Sequence, residues 1–195
     1  MTRDELYMNK ALELAEIAAE QGEVPVGAIV VKRSSGEIIG RGFNRREYGR
    51  SPLTHAELVA IEEASRNLGG WRLMGCELFV TLEPCPMCTG AIINSRIERV
   101  VFGAYDKKAG SCGSVVNLFE LNYKQKPLCT GGIMQEKFSH TLTEFIKDHR
   151  LKKNLSKKIR EVFLIFRFDF PKPCKASLHQ HIQALRQRVD RTPNV

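Results

Sequence analysis

The order of apolar segments predicts an α/β protein in which helices cover both faces of one sheet. Apolar runs suited to strands alternate with segments of helical period through the middle of the chain, an order that implies parallel pairing. Two early runs, "VPVGAIVVK" and "EIIGRGFN", flank "RSSG", which is a hairpin signal. With 195 residues, 43% of them hydrophobic, the chain can bury a proper core and fits one domain with room for an appendage.

Each element has its own warrant. Leu6, Leu12, Leu14, Ile17 and Ala18 fall roughly at helical spacing among charged residues, an amphipathic first helix that ends near Gly22. After the hairpin, "HAELVAIEEASRNLGG" is a helix stopped by its double glycine. "CELFVTL" suits a buried strand, "PMCTGAIINSRI" a compact helix, and "RVVFGA" another strand. "GGIMQ" is the candidate for a last strand, and "EKFSHTLTEFIKDHRLKKN" closes the body as a helix with a basic end. Beyond it, "EVFLIFRFDF" alternates imperfectly and reads as a strand, "PKPC" breaks it, and "LHQHIQALRQRV" reads as a short helix. Cys174, His179 and His181 are metal-ligand types, but a loosely ordered appendage is the simpler reading of this region.

Composition narrows the function classes. The N-terminus lacks the basic start and apolar block of a signal peptide, and no stretch approaches the ~20 apolar residues that cross a bilayer. A cytoplasmic location is therefore expected, where thiols stay reduced and paired cysteines point to metal or catalysis. The net charge of +8 is unevenly placed. Residues 156–195 hold nine Lys/Arg against three Asp/Glu, whereas residues 1–155 hold 21 against 19. A near-neutral body with a basic tail suits a polyanion such as nucleic acid, or a solvated surface.

The chemistry lies in "LEPCPMC" and "THAE". Cys85 and Cys88 are spaced for one tetrahedral metal or for a redox pair. Pro84 favours an extended entry and Pro86 suits the first position of a helix, so Cys85 caps that helix and Cys88 lies in its first turn. Backbone N–H groups and the positive helix end stabilise thiolates there. His55 opens its own helix and supplies a third ligand, which leaves a fourth position for water, the arrangement of a catalytic zinc. Zinc lowers the pKa of its water from ~15.7 to ~7, and two thiolates moderate that effect, so a nearby base matters. Glu57 is the candidate base; it equally fits a capping box with Thr54 as N-cap. H-x-E followed about thirty residues later by P-C-x-x-C is the signature of zinc-dependent nucleobase deaminases. Cys76, Cys112 and Cys129 lack a companion at ligand spacing and read as small fillers or incidental thiols.

The segments "VPVGAIVV", "GFN", "HAE", "VTLEPCPMCTGAI", "RVVFGAYDKKAG" and "GSVVNL" together resemble the bacterial tRNA-specific adenosine deaminases of the cytidine/deoxycytidylate deaminase superfamily, over roughly residues 5–150. The resemblance implies a three-layer αβα cytidine-deaminase-like sandwich on a mixed five-stranded sheet, with residues 1–155 as the deaminase domain and 156–195 as a basic C-terminal tail. It implies one zinc per subunit on His55, Cys85 and Cys88, with Glu57 shuttling protons. It implies that Asn44 hydrogen-bonds the flipped purine, although Asn after a strand also suits a turn. Val26 and Leu82 would line the base pocket, the backbone at Ala56 would help hold the attacking oxygen, and Asp106 and Lys108 would contact the anticodon-loop backbone. The implied reaction is hydrolytic conversion of the wobble adenosine of a tRNA anticodon loop, an arginine tRNA in bacteria, to inosine by a homodimer. The last helix departs from the family, where an aromatic pair precedes several arginines: "EFIKDHRLKK" has Ile146 in place of one aromatic.

Three rivals share parts of the motif. A guanine, cytosine or nucleoside deaminase uses the same zinc set. A noncatalytic scaffold tends to lose the shuttle carboxylate, which Glu57 retains. A thiol oxidoreductase needs Cys85 and Cys88 but neither His55 nor Glu57.

Overall fold

The structure, a computed structural model, describes residues 1–165. The expectations for "PKPC", for "LHQHIQALRQRV" and for Cys174, His179 and His181 lie outside the described residues. Met1–His149 form one compact unit, which carries the whole sheet.

Five strands form a single sheet in the order β2-β1-β3-β4-β5, with β1 Gly27–Lys32, β2 Glu37–Phe43, β3 Cys76–Leu82, β4 Arg99–Ala104 and β5 Leu128–Thr130. β1 runs antiparallel to both β2 and β3, while β3, β4 and β5 are mutually parallel neighbours, so the sheet is mixed as expected. Its side chains alternate between two cores, as the pleat requires. Ala28, Val30, Leu78, Val80, Val100 and Phe102 join one cluster with Ala56, Ala60, Ile92 and Ile97. Ile29, Val31, Phe79 and Val101 join the other with Met8, Leu12, Ala15 and Phe138. Helices α3 (Ala56–Leu68) and α4 (Pro86–Ser95) thus cover one face, and α1 (Arg3–Glu20) and the start of α5 (Gln135–Ile165) cover the other. These three layers are the αβα sandwich. A one-turn helix, α2 (Arg46–Gly49), lies between β2 and α3.

Helix α3 packs almost backbone to backbone on β2. A Cβ at Gly40 would lie 2.2 Å from the Ala60 carbonyl oxygen, and one at Gly42 would lie 2.1 Å from that of Ala56. Only glycine on the strand and alanine on the helix permit this approach, which sets where the N-terminus of α3 falls.

Two expectations are corrected. The last strand is "LCT" at Leu128–Thr130, not "GGIMQ". The Gly131 backbone lies against the Phe102 ring, where a Cβ would come within 2.2 Å, and Gly132 and Met134 take left-handed φ of 84° and 57°, which ends the strand and turns the chain into α5. The segment "EVFLI", read as the start of a strand, is the end of α5, which runs unbroken to Ile165. Helical continuity from a strongly helical start overrides the local strand preference of its β-branched and aromatic residues.

The topology gathers the site at one end of the sheet. Gly27 pairs with Phe43, so Val26 and Asn44 adjoin, and the Asn44 N–H donates to the Val26 carbonyl at 3.0 Å. Ala28 pairs with Val80, which brings the end of β3 and Leu82 alongside. Leu82 pairs with Ala104, so the loop leaving β4 begins at the same end. In α/β sheets this crevice beyond the strand ends is where ligands bind.

Candidate active site

Two helix starts meet here. His55 is the N-cap of α3 at φ −71° and ψ 150°, and Cys85 is the N-cap of α4 at φ −75° and ψ 173°, with Pro86 at its first position. Neither cap side chain is spent on a capping hydrogen bond, so both point their donor atoms elsewhere. The His55 Nδ1 lies 3.7 Å from Cys85 Sγ and 3.5 Å from Cys88 Sγ. Tetrahedral zinc with bonds of ~2.05 Å to nitrogen and ~2.3 Å to sulfur separates such ligand atoms by about 3.6 Å. The three atoms therefore fit one tetrahedral ion, bound through Nδ1 of the histidine. Their ligand atoms all fall within 4.8 Å of one another, and among the described residues no other His, Cys, Asp or Glu joins the set. An ion held by these three would have a fourth corner for a small ligand.

The capping-box alternative for Glu57 fails. The N-cap is His55, and the Thr54 hydroxyl donates instead to the carbonyls of Arg45 at 3.1 Å and Ser51 at 3.0 Å. Glu57 is 4% exposed, and its carboxyl contacts Cys88. Burial pushes this carboxyl above its ordinary value, with the Cys85 thiolate adding to the rise. The hydrogen bond from Cys88, then that from His55, holds the Cys85 thiol down at about 4, and the same bond with burial pushes Cys88 up. His55 is raised, mainly by its bond to Cys85. A buried cluster of this charge is one that a divalent cation would relieve.

A cavity of about 200 Å³ opens over these groups. Val26, Asn44, Ala56, Glu57, Leu82 and Asp106 all line it together with His55 and Cys85, so nearly every expected site residue converges. Cys88 is fully buried behind it, and Lys108 is exposed outside its lining. Asn44 is 5% exposed and its side chain makes no hydrogen bond among the described residues, so it is no turn-forming Asn.

Family comparison agrees with this donor set. The description "Cytidine and deoxycytidylate deaminase zinc-binding region" matches residues 1–104, which include the whole histidine–dicysteine triangle. The chain belongs to the cytidine and deoxycytidylate deaminase family. Its bound metal is accordingly zinc, and the enzyme is a deaminase. The deaminase is 46% identical over 159 residues to a tRNA-specific adenosine deaminase of Bacillus subtilis (strain 168), covering 81% of this chain and 98% of the relative. It superposes with a TM-score of 0.66 on a solved chain from work on A-to-I editing by tRNA:A34 deaminases, at 38% identity over 69% of this chain and 97% of that one. A guanine deaminase from Nitrosomonas europaea gives a TM-score of 0.65 at 28% identity over 72% and 83% of the two chains.

Sequence reading missed several lining residues of this deaminase, namely Val24, Arg46, Glu83 and Ala109. Arg46 was legible only as one of many surface cations. Glu83 stood inside the motif and still went unread, because its bonds go to residues 23 to 31 positions away. Of the remaining thiols, Cys76 and Cys112 are buried fillers as expected, whereas Cys129 is exposed on β5 and its thiol contacts that of Cys112.

Proposed function

We propose that this deaminase converts the wobble adenosine (position 34) of a tRNA anticodon loop, that of an arginine tRNA, to inosine by hydrolysis. The observation that carries the reading is the buried, uncapped Glu57 carboxyl beside the His55, Cys85 and Cys88 triangle on the wall of one cavity. The tRNA-specific relatives at close to full length support the RNA substrate.

Zinc on His55, Cys85 and Cys88 would supply a Lewis acid and a water of lowered pKa. Glu57 takes a proton from the attacking water and delivers it to adenine N1, which makes C6 electrophilic. It then carries a proton to the exocyclic nitrogen, so that ammonia leaves and inosine remains; adenosine and water are consumed one for one. A carboxyl whose affinity for protons is raised by burial suits this two-way traffic. The Ala56 N–H, at the start of α3, helps hold the attacking oxygen. Asn44, whose side chain makes no hydrogen bond among the described residues, hydrogen-bonds the purine edge between the apolar walls of Val26 and Leu82. Asp106 and Lys108 meet the anticodon-loop backbone; the Asp106 carboxylate accepts from the Lys108 N–H at 2.9 Å, which fixes that turn. A loop base is cheaper to flip out than a duplex base, which favours a stem-loop target.

The working form is a homodimer in the cytoplasm. Tyr48 and Leu53, 81% and 59% exposed on the segment flanking the cavity, are apolar surface that a second copy would cover. Among the described residues no helix is long and apolar enough to cross a membrane. The tail, residues 156–195, adds RNA affinity through its excess of cations.

The guanine deaminase neighbour, at nearly the same TM-score, makes free-base hydrolysis the rival reading. Incubation with total tRNA, followed by sequencing for A-to-G readout at wobble positions, tests the proposal. Conversion confined to position 34 supports it, and unchanged tRNA with ammonia released from free guanine or cytosine replaces it with the rival.

A further inference from the structure

Glu83 is 2% exposed, and among the described residues no cation lies within ion-pairing distance of it. Its charge is met by backbone instead. The N–H groups of Cys112 and Ser114 donate to Oε1, both at 3.0 Å, and that of Asp106 donates to Oε2 at 3.0 Å. The Ser114 hydroxyl adds a fourth bond to Oε2. One carboxylate therefore gathers the chain from Asp106 to Ser114 around itself. The loop closes at Gly110, where a Cβ would lie 2.3 Å from Oε2, and the Ser111 N–H reaches the Pro84 carbonyl at 2.9 Å. Glycine at this position is what allows the carboxylate to sit inside the turn.

Inside the loop the Gly110 N–H donates to the Asp106 carbonyl at 2.8 Å and the Val115 N–H to that of Gly110 at 3.0 Å, and the Leu118 N–H reaches the Ser111 carbonyl at 3.0 Å. Among the described residues the only ladder contact between Ala104 and Leu118 is the isolated bridge of Cys112 with Asn117, so the loop is not held as part of the sheet. Lys107, Lys108 and Ser114 are exposed, yet Asp106 and Ala109 form part of the cavity wall. Charge-assisted bonds from amides to a buried carboxylate are the strong class, and their loss leaves several donors unpaired.

We infer that Glu83 is a positioning residue that holds the Asp106–Ser114 loop in its substrate-ready form, setting how much enzyme can bind the anticodon loop rather than how fast a bound base reacts. The inference rests on the deaminase reading above. If the ready form falls to about a tenth of the population, apparent affinity falls about tenfold while the bound complex, and hence kcat, is unaltered.

The test compares the zinc-loaded full chain with Glu83→Gln, Gly110→Ala and the double variant. Readouts are kcat and KM on an anticodon stem-loop, bound zinc, and hydrogen exchange of the loop amides. Glu83→Gln keeps the volume but turns one acceptor into a donor facing donors; Gly110→Ala places a Cβ 2.3 Å from the Glu83 carboxylate and 2.5 Å from the Asp106 carbonyl, and so opens the same turn. Each should raise KM about tenfold or more with kcat within about threefold, keep its zinc, and speed exchange at Asp106, Cys112 and Ser114. The double variant should fall short of the sum of the two single ones, because both break the contact between Glu83 and the loop. Wild-type KM with wild-type exchange in Glu83→Gln overturns the inference, as does a fall in kcat alone or an additive double variant. Should Glu83→Gln not fold, Ser114→Ala removes only the hydroxyl donor and reads the same split. If the wild-type chain does not deaminate the stem-loop, the substrate reading fails, while loop exchange still decides whether Glu83 holds the loop.

Discussion

The Nδ1 atom of His55 lies 3.5 Å from Cys88 Sγ, a residue 33 positions further along the sequence. Two helix N-termini, carried on different crossovers of one sheet, produce that contact. Replacing Cys88 with Ala should therefore remove the ion outright, because two ligands cannot complete a tetrahedron. Bound zinc measured by mass spectrometry or a chromogenic chelator should drop from one per chain to near zero. Stripping the wild-type metal should lower its melting temperature, since an ion that binds only the folded chain stabilises it by about 4 kcal/mol at a thousand times its Kd. Full zinc in the Cys88→Ala protein would contradict the ligand set.

Asn44 offers a separation of binding from stability. Its buried side chain lines the cavity and makes no side-chain hydrogen bond among the described residues, so Asn44→Ala breaks no hydrogen bond that holds the fold. We expect kcat/KM on a stem-loop to fall about 10- to 100-fold, the worth of one or two hydrogen bonds to substrate, with the melting temperature within a few degrees of wild type. Parallel titration of activity and thermal melts checks this, and a large stability loss at full activity would return Asn44 to a structural role.

Much of this site was legible because its signal is local. His-x-Glu and Cys-x-x-Cys fall on helix starts; Pro86 already marks the second, and the double glycine after Leu68 marks where the first helix ends. The capping box at Thr54 was locally plausible too, and it failed for a nonlocal reason: the hydroxyl finds carbonyls of the preceding loop instead. Glu83 was illegible because its four donors lie beyond β4, and β5 because three mostly exposed residues carry no periodic pattern. The end of α5 was misread because "EVFLI" has strand chemistry but helical neighbours.

The Asp4–Arg99 pair predicts an acid-sensitive contribution to stability. Arg99 donates to both carboxylate oxygens of Asp4, at 2.9 and 2.6 Å, and holds that carboxyl below its ordinary value. A depressed folded value means that the contribution is complete above the unfolded pKa near ~4 and is lost as pH falls through the folded value. Asp4→Asn should cost about 1–2 kcal/mol at neutral pH, with the gap to wild type shrinking below pH ~4. Urea melts across pH check it; a gap that widens in acid would reverse the sign and refute the assignment.

Removing residues 156–195 takes away a net charge of +6, from nine basic and three acidic residues. Binding to tRNA should weaken, and the slope of log affinity against log salt should flatten by roughly one for each lost phosphate contact. Filter binding or anisotropy from low to physiological salt measures that slope. An unchanged slope would mean the tail does not touch RNA.

The chemical step itself hangs on Glu57. Glu57→Gln keeps the shape of the side chain and loses the proton shuttle, so we expect wild-type zinc content with deamination reduced by about 10²- to 10⁴-fold. The decisive measurement is inosine formed, per zinc, from an anticodon stem-loop with adenosine at position 34, for wild type and Glu57→Gln side by side. One ammonia per inosine from the wild-type chain and near-silence from the variant is the predicted result. Turnover of the stem-loop at equal rates by both, or by neither while free guanine is hydrolysed, would contradict the account.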